Sequence, residues 1–274
     1  MINVAKTIKY LAMALAIFLA VSIISTLCYG VVLLGNVVSN DNSNINNEED
    51  IHIENSVQLT SLEIMKEMDI DVKRVNIYIK YDDNFGVSTT NEYIKGSIQD
   101  NKLYIYEVDH SMIDKYAGDL YIFIPSGYVF DEVDVDNGAG KVEIDGLKTR
   151  ELSLELGAGK VNISNIEVYE KMSINGGAGS VKIDNASISN LDMDMGAGKT
   201  QISGYLRGNN KIDAGVGALI LELFDDDYKI SVDKGIGKAT YNGQDINSDE
   251  TYGNGYNNII IDGGVGSIKI STKR

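Results

Sequence analysis

The sequence has no tryptophan, one cysteine, one proline and two histidines in 274 residues. A single cysteine, Cys28, excludes a disulfide scaffold and any thiolate zinc cluster. One proline among 28 glycines excludes a proline-rich linker and collagen. With only His52 and His110 there is little from which to build a histidine metal site. Basic residues are also scarce: 24 Lys and Arg stand against 40 Asp and Glu, for a net charge of −16. A surface that acidic cannot neutralise phosphates, so nucleic acid is not an expected partner. A hydrophobic share of 43% excludes a disordered acidic chain.

The charge is unevenly placed. Residues 1–40 hold Lys6 and Lys9 and no acid, so the remaining 234 residues carry −18. No charge occurs from Tyr10 to Asn40, and most of 10–38 is apolar. About 20 apolar residues cross a bilayer, and the run is too long for a signal-peptide core. The expectation is therefore one uncleaved transmembrane helix over 10–38. The two lysines before it place residues 1–9 in the cytoplasm and the rest outside, by the positive-inside rule. Residues 39–55 are polar and aperiodic, and are expected to form a flexible stalk.

Beyond the stalk the chain repeats. Gly-x-Gly starts at 138, 157, 177, 196, 215, 235 and 264, at intervals of 19, 20, 19, 19, 20 and 29. Apolar residues alternate on both sides, as at Val133/Val135 before the first bend and Val142/Ile144 after it. That period of two marks strands with one buried face. One 19–20-residue unit cannot bury its own apolar side chains, whereas stacked units build a continuous core. The fold expected over 132–272 is all-β, a parallel β-solenoid of about seven coils stacked in serial order. Residues 56–131, with alternating runs at 75–79, 102–106 and 119–124, are expected to form an N-terminal β cap covering its open end.

Two motifs resemble known loops and fail on inspection. Gly196-Ala197-Gly198-Lys199-Thr200 ends like a phosphate-binding loop, but Met193 stands where glycine is needed and strand pattern follows. Gly-Gly-x-Gly at Gly176 and Gly263 resembles a calcium-binding repeat, yet core-facing Val181 and Ile268 occupy the position of the ligating Asp.

The segment Tyr121-Ile122-Phe123-Ile124-Pro125-Ser126-Gly127, then Val133-Asp134-Val135 and the serial Gly-Ala-Gly-Lys-Val-x-Ile units, resembles the bacterial "putative adhesin" domain family of unknown function. The resemblance covers about residues 60–272. It implies an envelope protein, commonly Gram-positive and often single-pass, in a family whose members are sometimes encoded beside envelope-stress regulators. It carries no catalytic residue and no cofactor onto this chain.

Candidate chemistry lies beside the bends. Two residues before them stand Asp136, Glu155, Asn175, Asp194, Asp213, Asp233 and Asp262, which stacking turns into a column about 4.8 Å apart. Lys141, Lys160, Lys199 and Lys238 follow the bend in four acidic coils, and Ser180 follows it in the Asn175 coil. Asp213 and Asp262 face Ala218 and Ser267 and have no such lysine. Either each coil pairs acid and lysine across its own bend, or the six carboxylates present a divalent-cation or cationic-ligand face. The long last interval places an insertion in Asn242–Tyr256, expected to protrude, with Tyr252 and Tyr256 as partner contacts. The function expected is non-catalytic: surface interaction with an envelope protein or glycan, adhesion, or envelope-stress sensing. The alternative is a carbohydrate-active lyase or glycosidase on the same scaffold.

Overall fold

The computed structural model describes residues 50–51, 57–58, 65–108, 118–248 and 250–273. The expected membrane segment, the cytoplasmic residues and both histidines lie outside these. Among the described residues no helix is long and apolar enough to cross a membrane. Residues 48–274 form one compact unit.

All seventeen strands join one sheet. In chain order they are β1 (Asp50–Ile51), β2 (Val57–Gln58), β3 (Glu67–Asp82), β4 (Gly86–Thr89), β5 (Ile94–Gln99), β6 (Lys102–Glu107), β7 (Gly118–Pro125) and β8 (Val129–Ser189). Then follow β9 (Leu191–Arg207), β10 (Asn209–Asp213), β11 (Val216–Leu223), β12 (Tyr228–Asp233), β13 (Ile236–Tyr241), β14 (Gln244–Asp245), β15 (Glu250–Tyr252), β16 (Asn257–Asp262) and β17 (Val265–Thr272). The long β8 winds through three bends of the solenoid. Alternate residues point inward, as the period-two pattern requires. Val135, Leu154, Ile174, Met193 and Ile212 are all buried, and the registers between β8, β9 and β10 stack Ile174 on Met193 and Met193 on Ile212. Asn210 interrupts another inward column without an energetic debt. Its side-chain oxygen accepts from Leu191 N and its amide donates to Asn258 O, both at 3.0 Å.

The glycines are needed for closeness as much as for dihedral freedom. A methyl group on Gly157, Gly177 or Gly196 would overlap the carbonyl oxygen of the glycine stacked beneath it. The second glycine of each pair adds a positive φ, for example +147° at Gly179. At the opposite corner asparagine serves instead. Asn165 and Asn185 adopt left-handed φ of 55° and 52°, and their side chains form a ladder with Asp145 through two 2.7 Å bonds.

Three features differ from the sequence expectation. First, the solenoid begins one coil earlier, because β3 pairs in parallel with β8 from Glu67↔Glu132 to Lys80↔Asp145. Its bend, Lys73-Arg74-Val75, has no glycine. Side chains at these bends project toward the N-terminal neighbour, where Glu107 accepts from Lys73 N at 2.7 Å. Second, the expected stalk ends sooner, since Asp50–Ile51 pair antiparallel with Ser97 and Gly96.

Third, the coils are not stacked in serial order. The last segment, β16–β17, runs parallel to β10–β11 on one side and to β12–β13 on the other. The seventh coil in sequence is therefore sixth in space, and β12–β13 is outermost. The expected protruding insertion instead folds back over that outer edge. β14 pairs antiparallel with β13, β15 pairs antiparallel with β12, and Ile246 is buried in the core. An open strand edge invites pairing with other chains, and this excursion covers it. The N-terminal end mirrors the arrangement: β3 lies inside, between β8 and β6–β7, while β4 and β5 pair antiparallel on the outside.

Two predictions follow from this packing. Gly179→Ala is expected to destabilise the fragment from residue 41 onward by about 2–4 kcal/mol, since it adds overpacking to backbone strain. Gly243→Ala, with φ of +82° but nothing within 4 Å, should cost only about 1 kcal/mol. Urea unfolding of both variants checks the contrast. In native-state hydrogen exchange, amides of β16–β17 should exchange more slowly than those of β12–β13. Serial stacking would give the reverse order.

Candidate functional site

In-register stacking assembles a ridge along the glycine bends. On its leading flank the registers align Asp71 with Asp136, Asn175 with Asp194, Asp194 with Asp213, Asp213 with Asp262, and Asp262 with Asp233. The registers add Asp71 beside Asp136 and set Asp262 inside Asp233. Asp71 was missed because its coil lacks the Gly-x-Gly mark. An open trough of about 450 Å³ runs along Asp136, Glu155, Asn175 and Asp194 over the bare backbone of Gly138, Gly157, Gly177 and Gly196.

The crest is aliphatic and grows along the rod. Ala139, Ala158, Ala178 and Ala197 occupy the middle of the bend in the first four glycine coils, then Val216, Val265 and Ile236. The registers place Val216 between Ala197 and Val265, with Ile236 beyond Val265. These three are 50%, 38% and 42% exposed, because neighbouring glycines have no side chains to cover them.

The trailing flank holds the lysines, and they do not pair across their own bends. Lys141 bonds to Glu143, which also receives Lys80 at 3.5 Å, and Lys238 reaches Asp245 at 2.9 Å. Lys160 and Lys199 are exposed and form no ion pair among the described residues. Asp213, expected to be unpartnered, is instead held by Lys211 at 2.7 Å. The reason is geometric. Acid and lysine lie on opposite sides of the crest, whereas residues two apart on one strand share a face, as Lys141/Glu143 and Lys211/Asp213 do. Asp136, Glu155, Asp194, Asp233 and Asp262 thus have no ion-pair partner among the described residues. Partial burial, followed by the charges of Asp71 and Glu155, pushes the Asp136 carboxyl above its ordinary value.

A second charged cluster was not evident in the sequence because its members are far apart in the chain. The Lys102 ammonium lies 3.2 Å from Asp69, 3.8 Å from Asp134 and 3.9 Å from Glu67. Burial raises the carboxyls of both Glu132 and Asp134 there, and each is further affected by the other. No group of three or more His, Cys, Asp or Glu among the described residues is gathered tightly enough to hold a metal ion. Of the two tyrosines singled out, Tyr252 is half-buried. Its hydroxyl donates to Glu250 at 2.7 Å and accepts from Asn247 N at 3.0 Å, and its ring lies 5.8 Å from that of Tyr241. Tyr256 stands 92% exposed.

The first six glycine bends and the β region from residue 65 onward fall within one match, to the family described as Toastrack DUF4097, over residues 65–240. This chain belongs to the Toastrack DUF4097 family. The Toastrack match stops at 240, so β14–β17, which close the C-terminal end, lie beyond it. No curated protein matches the chain. Among solved structures it is similar to a "putative cell adhesion protein" from Clostridium sporogenes, at 15% identity and a TM-score of 0.36, covering 83% of this chain and 100% of that one. It is also similar to a "putative adhesin" from Bacteroides fragilis, at 14% identity and a TM-score of 0.30, covering 81% and 95%.

The raised Asp136 carboxyl gives a signed prediction. A carboxyl whose native pKa exceeds its unfolded value favours the fold below that value, near 3.8, and the advantage is lost as pH rises. Asp136→Asn should therefore raise the unfolding midpoint at pH 7. The gain over the parent should shrink toward zero at pH 3, in denaturant melts at both pH values.

Proposed function

We propose that this chain is a non-catalytic rod displayed at the bacterial cell surface and tethered by the apolar segment 10–38, with its N-terminus inside. It acts by binding, as a surface-interaction, adhesion or envelope-stress-sensing protein. One observation carries the reading: the exposed chemistry is laid out in columns and does not converge on a centre. Acid, glycine, aliphatic and lysine positions recur at strand spacing from coil to coil, so a ligand meets the same groups at each level. Such a surface suits an extended partner. A bond-cleaving site needs one carboxylate pair set apart by its surroundings, and a regular column repeats every carboxylate spacing. The lysine-before, acid-after flanks of the apolar segment support the orientation.

The test uses the full chain with a C-terminal epitope, expressed in bacteria. Protease added to intact cells should remove the epitope, alkaline carbonate should leave the protein in the membrane, and deletion of residues 1–40 should release it. An epitope protected until lysis would overturn the display. The purified fragment from residue 41 should bind envelope glycan or protein without releasing soluble product. Product release that depends on one carboxylate pair would shift the reading to a carbohydrate-active enzyme.

A further inference from the structure

We propose that the glycine ridge is a self-association surface, on which two copies of the chain dock as parallel rods related by a two-fold axis along the rod. The argument begins with a pattern inside the chain. Acid and lysine flank the same bend in four coils (Asp136/Lys141, Glu155/Lys160, Asp194/Lys199 and Asp233/Lys238), and both are absent together at Asn175/Ser180. Pairing across the bend would account for this, but the structure excludes it. Lys141 and Lys238 turn to other acids, and Lys160 and Lys199 have no ion-pair partner.

A second copy satisfies the pattern. A two-fold axis along the rod exchanges the two flanks at constant height, so in those four coils each acid meets the lysine of its own coil in the other copy, while Asp213 and Asp262 meet Ala218 and Ser267. Glu155 faces Lys160 and Asp194 faces Lys199. The Asn175 level meets Ser180, a neutral pair. An axis across the rod, which makes the copies antiparallel, sets acid against acid and lysine against lysine. Between the flanks the crests meet. Val216, Val265 and Ile236 lose exposed aliphatic surface, and the bare glycines allow close backbone approach.

The contact is small. A ridge about 30 Å long and 12 Å wide covers roughly 400 Å² per copy, half of what stable complexes bury. The pair is therefore weak in dilute solution and depends on local concentration, which tethering raises. The parallel sense also sets both N-termini at the same end, as two copies held by one membrane require.

Oxidative crosslinking of the full chain in its Cys28→Ser form tests this. Cysteine is introduced singly at Ala158 and at Val265 on the crest, and at exposed Glu170 on another corner as a control. Both crest variants should form disulfide-linked dimers with themselves, and the Glu170 variant should not. Lys160→Glu with Lys199→Glu should abolish the crest crosslinks, and adding Glu155→Lys with Asp194→Lys should restore them. All four charge changes are at exposed positions, and thermal melts confirm that the variants fold. The pattern of positions is the readout. Crosslinks formed only when the Ala158 and Val265 variants are mixed would mean antiparallel rods. Equal yield at Glu170, yields indifferent to charge reversal, or no crest crosslink at all would each overturn the proposal.

Discussion

Everything in this molecule depends on how closely one bend can lie on the next. Parallel strands pair about 4.8 Å apart only if the backbone at each corner permits it. At the glycine bends the carbonyl of one coil occupies the space a methyl group would fill in the coil above. That constraint fixes register, and register fixes everything else. Once Gly177 lies on Gly157, Ile174 must lie on Leu154 and Asn175 on Glu155. The core columns and surface columns are two faces of one requirement.

This explains what could be read from the sequence. A 19–20-residue period with alternating apolar residues specifies which positions are inward and which residues share a column, and Val135, Leu154 and Ile174 appear where it places them. Stacking order is not encoded that way. Every coil presents nearly the same upper and lower face, so β16–β17 matches β10–β11 as well as β12–β13 does. Only the 29-residue interval hinted at a change, and an interval alone does not distinguish a loop from a crossover. The acid column was legible for the same reason as the core. Its missing member, Asp71, and the Lys102 cluster were not, since one lies in a coil without glycine and the other joins three distant segments.

The two ends of the stack solve one problem alike. Strand edges at the end of a solenoid are free to pair with foreign chains. At each end short antiparallel strands lie outside the parallel stack, β4 on β7 and β5 on β6 at one end, β14 on β13 and β15 on β12 at the other. Antiparallel pairing reverses the direction in which further strands could add, so the parallel repeat cannot continue past it. The C-terminal version has a topological consequence. β12–β13 can take its final place only when β16–β17 fills the space beneath it, which ties the outermost coil to a segment that follows it in the chain.

The electrostatics of the ridge show which demand prevailed. Two unit charges 4.8 Å apart at the surface repel by about 0.9 kcal/mol in bulk water, less once salt screens them. Each coil meanwhile buries several aliphatic side chains worth about 1.5–3 kcal/mol apiece. The core can therefore sustain a row of like charges without losing the fold. Stability does not require the row, however, and a lysine two residues away on the same strand can neutralise an acid, as Lys211 does for Asp213. At Glu155 and Asp194 the lysines lie across the crest instead, out of reach of their own acids. Stability alone would favour the nearer placement, so the separation is best understood as a property of the exposed surface and of what that surface meets.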